Sequence, residues 1–183
     1  VVVQGSTARL AKRSRAIGLA ARALGAGVAT VSVLTAEEAA ADKATGAVRF
    51  DVGRLGRRLV AVLEALPQWT GARALSLHGT GTGAAAALVA AAARPGSVRS
   101  LVSIAGRPDL ARPVLSRVAA RTLLVVGGKD LAGVRACCDA LCYLPKSAQL
   151  ALVPGAAALD DEREQREVAH LVAGWLASEA VTP

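Results

Sequence analysis

The residues with the clearest chemical pattern in this chain are Gly79-Thr80-Gly81-Thr82-Gly83. An apolar stretch ending in Leu75-Ser76-Leu77-His78 leads into them, and a nearly pure alanine run, Ala84 to Ala93, leaves them. A strand that enters a glycine-dense reversal and leaves as a helix of small residues is a strand–turn–helix, because glycine supplies the φ > 0 that a sharp turn demands. Two chemistries are built on such turns. One displays a nucleophilic serine as Gly-x-Ser-x-Gly, activated by an acid and a histidine from later loops. The other cradles a pyrophosphate on Gly-x-Gly-x-x-Gly or Ala. Here the serine position of the first pattern is Gly81, which has no hydroxyl. The second pattern is met as Gly79-x-Gly81-x-x-Ala84.

Side chains near this turn offer few replacements. Thr80 and Thr82 flank Gly81, but in a tight turn their hydroxyls point elsewhere. His78 closes the strand and borders a candidate pocket with Gln4, Gly5, Thr80 and Thr82, although a structural histidine is the plainer reading. His170 falls beside the apolar face of the last helix and reads as a surface residue. Ser76 lies within the strand, and Ser6 has no evident base. Asp109, Asp160 and Asp161 read as capping or solvated acids. For the nucleotide reading, the free N–H groups at Thr82 to Ala84 would receive a phosphate and Arg107 a 2′-phosphate. Against it, the glycines follow the third visible strand, and no acid stands about 20 residues further on.

The elements that must position this turn alternate strand and helix. Strands are expected at Val1–Val3, Val28–Leu34, Arg73–His78, Val98–Ile104, Thr122–Val126 and Gln149–Val153. Helices are expected at Arg13–Leu24, closed by Gly25, and at Val52–Leu66, stopped by Pro67. Others follow the glycine turn, run from Asp130 to Leu144, and end the chain. Thr35 with Glu37 and Glu38 opens a loop or short helix up to Gly46, and another short helix falls near Pro113–Val118. In the last helix Val168, Leu171, Val172, Trp175 and Leu176 form a core face. Continuous apolar strands between amphipathic helices predict an α/β fold, a mostly parallel sheet covered on both faces, within a single domain spanning residues 1–183.

Composition removes several function classes. The net charge of +8 comes mostly from scattered arginines. Phe50, Trp69, Tyr143 and Trp175 are the only aromatics, which leaves little for base stacking, so nucleic acid is not expected as a partner. No apolar run approaches the roughly 20 residues of a membrane span. Cys137, Cys138 and Cys142 lack metal spacing and read as reduced thiols buried on one helix face, consistent with a cytoplasmic protein without a metal or other cofactor. A start at Val1 inside a strand, with no Met anywhere, reads as an excerpt or processed product whose first strands lie upstream.

Several segments in order resemble the small α/β-hydrolases of the dienelactone-hydrolase type, some of which are fused to phosphoribosyltransferase domains. The resemblance is carried by Leu34-Thr35-Ala36-Glu37-Glu38, Arg49-Phe50-Asp51, the glycine turn, Gly106-Arg107-Pro108-Asp109-Leu110, Thr122 through Asp130, and Val153-Pro154-Gly155-Ala156. It implies an α/β-hydrolase fold with its nucleophile position at Gly81, its acid at Asp130 and its histidine position at Ala158. Gln4-Gly5-Ser6 stands where the family begins its oxyanion loop with His-Gly. Two of three triad members are therefore missing. The expectation is a non-catalytic binding or scaffolding module, with a protein partner or fused enzyme domain. The alternatives are an esterase or lactone hydrolase with a rearranged site, and a nucleotide-binding module using the Gly79–Gly83 turn.

Overall fold

The computed structural model describes residues 2–4, 17–19, 21–72 and 75–180. Six parallel strands form one sheet: β1 (Val2–Gln4), β2 (Thr30–Ser32), β3 (Ser76–Thr80), β4 (Ser100–Ile104), β5 (Arg121–Gly127) and β6 (Gln149–Val153). Their order is β2-β1-β3-β4-β5-β6. The chain moves outward from β1 to β2, then returns to β3 on the other side of β1 and continues in the opposite direction. The sheet therefore reverses between β1 and β3, and in open α/β sheets ligands gather beyond the carboxyl ends of the strands at such a reversal. Gly81 follows β3 at that end.

The α-helices with both ends among the described residues are α1 (Ala36–Thr45), α2 (Val52–Thr70), α3 (Thr82–Ala93), α4 (Leu131–Leu141) and α5 (Glu162–Ala180). Short 3-10 segments occupy Val48–Phe50 and Pro108–Arg117. One core lies on the α2, α3 and α4 side of the sheet, built on Leu55, Leu59, Leu77, Leu88, Leu101 and Leu124. The other gathers Ile17, Val102, Ile104, Val125, Val172 and Trp175 around α5. Within it the Trp175 indole N–H donates to Ser100 Oγ at 2.8 Å, so the one polar edge of the ring is satisfied where it is buried.

The alanine helix α3 is buried almost all round, from Gly83 to Leu88 and again from Ala90 to Ala92. Such a helix cannot carry large side chains, because its neighbours come too close. A Cβ on Gly79 would sit 2.5 Å from Ala84 Cα and 2.7 Å from its nitrogen, so β3 and the first turn of α3 touch backbone to backbone. On the far side, a Cβ on Gly56 of α2 would run into the Val89 side chain. Alanine adds the most favourable helix propensity at the smallest volume.

The expected outline needs several changes. Of the loop or short helix left open after Thr35, the helix forms, and a capping box opens it. Thr35 Oγ1 accepts from the Glu38 N–H at 3.2 Å, and the Thr35 N–H donates to Glu38 Oε2 at 3.0 Å. Pro67 does not stop α2, which runs on to Thr70. Pro67 loses its own N–H bond and its ring crowds the carbonyl one turn earlier, but it lies in the last turns of the helix, where the buried Leu63 and Leu66 hold the turn before it. Gly71, at φ 68°, then caps the helix by donating to the Pro67 carbonyl. Helix α4 ends at Leu141, short of Leu144. The three cysteines do not share a buried face. Cys137 is buried, and burial raises its pKa to about 12, whereas Cys138 and Cys142 are exposed. Adjacent helical residues point about 100° apart, and Cys142 lies past the helix end. The expected Arg13–Leu24 helix is seen at residues 17–19 and 21–23; Leu24 already belongs to the turn that follows, and residues 13–16 and 20 lie outside the described residues.

Substitution Gly79→Ala should cost about 1–3 kcal/mol, since the clash is with backbone that no rotamer change relieves. Urea melts would measure it, and an unchanged midpoint would contradict the close β3–α3 contact.

Candidate functional site

All six strands are parallel, so the loops after β3, β4, β5 and β6 meet at one pole of the sheet. Position 81 sits at its centre. Gly81 adopts φ 56° and ψ −129°, outside the wells open to residues with a Cβ. The turn is tied to the loop after β4 from both directions. The Gly81 N–H donates to the Ile104 carbonyl at 3.3 Å, and the Arg107 N–H donates to the Gly81 carbonyl at 3.2 Å. No side chain caps the α3 N-terminus that follows. The first-turn N–H groups of a helix lack intrahelical acceptors, which leaves Thr82 at the mouth of a partial positive charge.

The loops after β5 and β6 are linked in the same way. Lys129 N–H donates to the Ala156 carbonyl at 2.8 Å and Gly128 N–H to the Val153 carbonyl at 2.9 Å. A Cβ on Gly127 would fall 2.5 Å from the Ala156 oxygen, so glycine is required for this approach. The two loops carry Asp130 and Ala158. Asp130 is the N-cap of α4, its Oδ1 accepting from the Gly133 N–H at 2.9 Å. Ala158 is exposed and presents only a methyl group. It precedes Leu159, which is fully buried at φ 56°, a conformation rare for a branched side chain. Ala105, after β4, is also at positive φ, 42°.

An open cavity of about 870 Å³ spans the loop after β4 and the start of α4, bounded by Gly106, Arg107, Asp109, Asp130, Leu131 and Arg135. Arg107 does not offer a free guanidinium there. Its Nε and Nη2 hold Asp109 at 2.9 and 2.7 Å, which raises the arginine pKa and lowers that of the carboxylate. That pairing takes up two nitrogens of the group assigned to a 2′-phosphate in the nucleotide reading and sets a carboxylate beside it.

Of the other expected pocket residues, Gln4, Thr80 and Thr82 lie at the pole of Gly81, at the ends of β1 and β3 and the start of α3. Thr82 begins α3, and Thr80 precedes Gly81 with its Oγ1 buried and without a partner. Gln4 ends β1, opposite Ser32 in register, while Gly5 and Ser6 lie outside the described residues. His78 belongs elsewhere: it is buried facing a second cavity, lined by the starts of β2 and β3, and burial lowers its pKa to about 3. His170 is exposed on α5. Asp161 caps α5 through the Glu164 N–H at 2.7 Å. Among the described residues no cluster of three metal-binding side chains occurs, and no helix is long and apolar enough to cross a membrane. The strained Ala105 and Leu159 were not visible in the sequence, since neither residue type announces a positive φ.

A doubly covered parallel sheet with a glycine turn at its reversal and joined loops after the later strands defines an α/β-hydrolase scaffold. No family model matches the chain. The dienelactone hydrolase of Anabaena variabilis superposes with a TM-score of 0.86 at 37% identity, over 97% of this chain and 85% of that one. An α/β serine hydrolase homologue from Coxiella burnetii, at 16% identity, shares the fold with a TM-score of 0.68 over 96% of this chain and 83% of that one. Proteins named as phosphoribosyl transferase in two Mycobacterium tuberculosis strains are 41% identical over 157 residues, covering 82% of this chain and 34% of theirs. The chain thus spans about a third of the length of those curated relatives. It belongs to the dienelactone-hydrolase-like family of α/β-hydrolases.

Restoring the hydroxyl by Gly81→Ser should destabilise the fold by about 1–3 kcal/mol, the cost of a side chain in this backbone region. It should bring no hydrolysis, with alanine still at 158. Denaturant melts and an ester assay test both halves, and a neutral or stabilising Gly81→Ser would contradict the turn geometry.

Proposed function

We propose that this chain is a non-catalytic member of its family, a binding module whose crevice holds an ester, a lactone or the corresponding acid without cleaving it. The reading rests on Gly81. The position that follows β3, at the reversal of the sheet, keeps an elbow backbone but carries no side chain. A nucleophile and a base are both needed to open an acyl bond, and loss of either already costs orders of magnitude. Ala158 supplies no base. The sequence has only two histidines, and neither His78, facing the other cavity, nor His170, on the exposed face of α5, stands beside Gly81.

The surrounding backbone supports retention of a binding role. Ala105 and Leu159 each hold a positive φ that costs of order 1–3 kcal/mol for a residue with a Cβ. Strain of this kind persists where a site demands a fixed geometry, and here it brackets the crevice. The uncapped α3 N-terminus offers N–H groups to a carbonyl or carboxylate oxygen.

The Mycobacterium relatives favour a further element of this reading. Because the matched part is a third of a protein named phosphoribosyl transferase, the module serves as a portion attached to, or partnered with, a transferase of that class. The hydrolase alternative would require a relocated nucleophile.

A fluorophosphonate that labels active serine hydrolases should leave the protein at its unmodified mass, and p-nitrophenyl acetate hydrolysis should match that of the heat-denatured protein. Stoichiometric labelling of any serine or threonine would establish a rearranged catalytic site and end the non-catalytic reading.

A further inference from the structure

The sheet ends on β6, and among the described residues no strand lies beyond it. The Val153 carbonyl accepts from Gly128, on the β5 side. Main-chain groups alternate in direction along a strand. Gln149, Ala151 and Val153 therefore turn their N–H and C=O groups towards β5, whereas Leu150 and Leu152 turn theirs outward, where no described strand meets them. Edges of this kind are normally blunted by lysine, proline, a bulge or shortness. In β6 the pairing with β5 runs unbroken from Gln149 to Val153, with neither lysine nor proline inside it. No charged residue occurs between Lys146 and Asp160. The opposite edge is protected, because β2 has only three residues and two of them are Thr30 and Ser32.

Residues beside this edge are not accounted for by packing within the chain. Leu152 shares the α4 face with Leu150, which packs on that core, yet it stays 48% exposed. On the α5 face a depression of about 380 Å³ runs beside β6, with Ala151, Leu171, Gly174 and Trp175 in its wall. Arg121, also in that wall, is laid over the Trp175 ring, 4.2 Å from its centroid. Gly174 is exposed within the 19-residue helix α5, and a Cβ there would meet nothing within 4 Å. Glycine weakens a helix interior, and no contact within the chain calls for it at this position. What it leaves is room for a surface that approaches from outside.

The pattern of the edge is complementary to itself. Two β6 strands set antiparallel about a two-fold axis at Ala151 bring the outward groups of Leu150 in one copy opposite those of Leu152 in the other. Each outward leucine N–H then finds a leucine carbonyl. The same register packs Leu152 against Leu150 across the α4 face and covers its exposed side chain. At the axis, alanine faces alanine in a pair of the closely spaced kind. An axis perpendicular to the sheet keeps both α5 helices on one face, where Gly174 lies between them. The chain's net charge of +8 does not oppose this contact locally, because the segments that meet are uncharged. A contact that uses the same patch on both copies closes at two.

We propose that β6 is the interface of a two-fold dimer of this chain, in which two sheets join edge to edge through Leu150 and Leu152. The inference is independent of the crevice reading, since it uses the edge of the sheet and not the loops at its pole.

Cross-linking in the full-length protein tests the register. Ala151→Cys, combined with Cys138→Ser and Cys142→Ser to remove the exposed thiols, places a thiol beside the axis. Oxidation with diamide should join position 151 of two copies, as read by peptide mapping. Gln149→Cys in the same background should cross-link several-fold less, because the antiparallel register carries position 149 away from its equal. Adding Leu152→Lys to the Ala151→Cys protein should suppress the cross-link. In the unmodified protein, deuterium exchange at the Leu150 and Leu152 amides should speed up several-fold on dilution. Cross-linking at 151 no stronger than at 149, or indifferent to Leu152→Lys, would overturn the proposal. So would exchange at these amides that does not change with concentration: if fast, the edge is free, and if slow, another segment of the same chain covers it.

Discussion

The close approach of β3 to the first turn of α3 is the constraint on which the rest of the structure depends. Gly79 permits it, because any side chain there would occupy the backbone of Gly83 and Ala84. Once the helix lies that near the sheet, its other contacts must also be small. Alanines fill the run from Ala84 to Ala87, Gly56 yields to Val89 from the α2 side, and Gly106 has room only because it lacks a Cβ that would strike Ser103 Oγ and Ala84. The same closeness forces the reversal at Gly81 into a backbone conformation that glycine alone adopts without strain. Packing and the shape of the crevice are thus one problem solved by one set of small residues.

On the non-catalytic reading proposed above, this is why the scaffold can stand without the chemistry. A hydroxyl at position 81 and an imidazole at position 158 would contribute to catalysis, not to the contacts that hold α3 against β3. Without either group, the sheet order, the bonds between Gly81, Ile104 and Arg107, and the joined loops after β5 and β6 are all present. Asp130 shows the same separation. Its carboxylate has structural work as the cap of α4, and a cap contributes about 0.5–2 kcal/mol, so an acid is kept there whether or not a histidine faces it.

Much of this was legible in the sequence, for identifiable reasons. Strand β6 at Gln149–Val153 could be read to the residue because Pro154-Gly155 ends it abruptly. The glycine turn was legible because its composition leaves few alternatives. Thr35 and Glu38 left loop and helix open, since their reciprocal bonds form only once the helix exists. Pro67 misled because the rule for proline speaks of the lost N–H bond and not of the buried leucines before it. The cysteines misled because Val134, Cys137, Cys138, Leu141 and Cys142 have the spacing of one helix face, whereas of the three thiols only Cys137 is buried. His78 lies near Gly81 in sequence, but its buried ring lines a cavity where β3 begins, back along the strand from the glycine turn. The positive φ of Ala105 and Leu159 falls in the loops after β4 and β6, and neither residue type encodes it.

The central claim is that the crevice binds an acyl compound through backbone groups and leaves it intact. Amide chemical shifts of Thr82 and Gly83, followed by NMR during titration with a simple unsaturated lactone, test it most directly. The account predicts saturable shifts at these two amides while the lactone's own resonances persist unchanged. Lactone resonances that convert to those of the hydroxy acid at a rate proportional to protein concentration would contradict it, as would amides that do not respond at all.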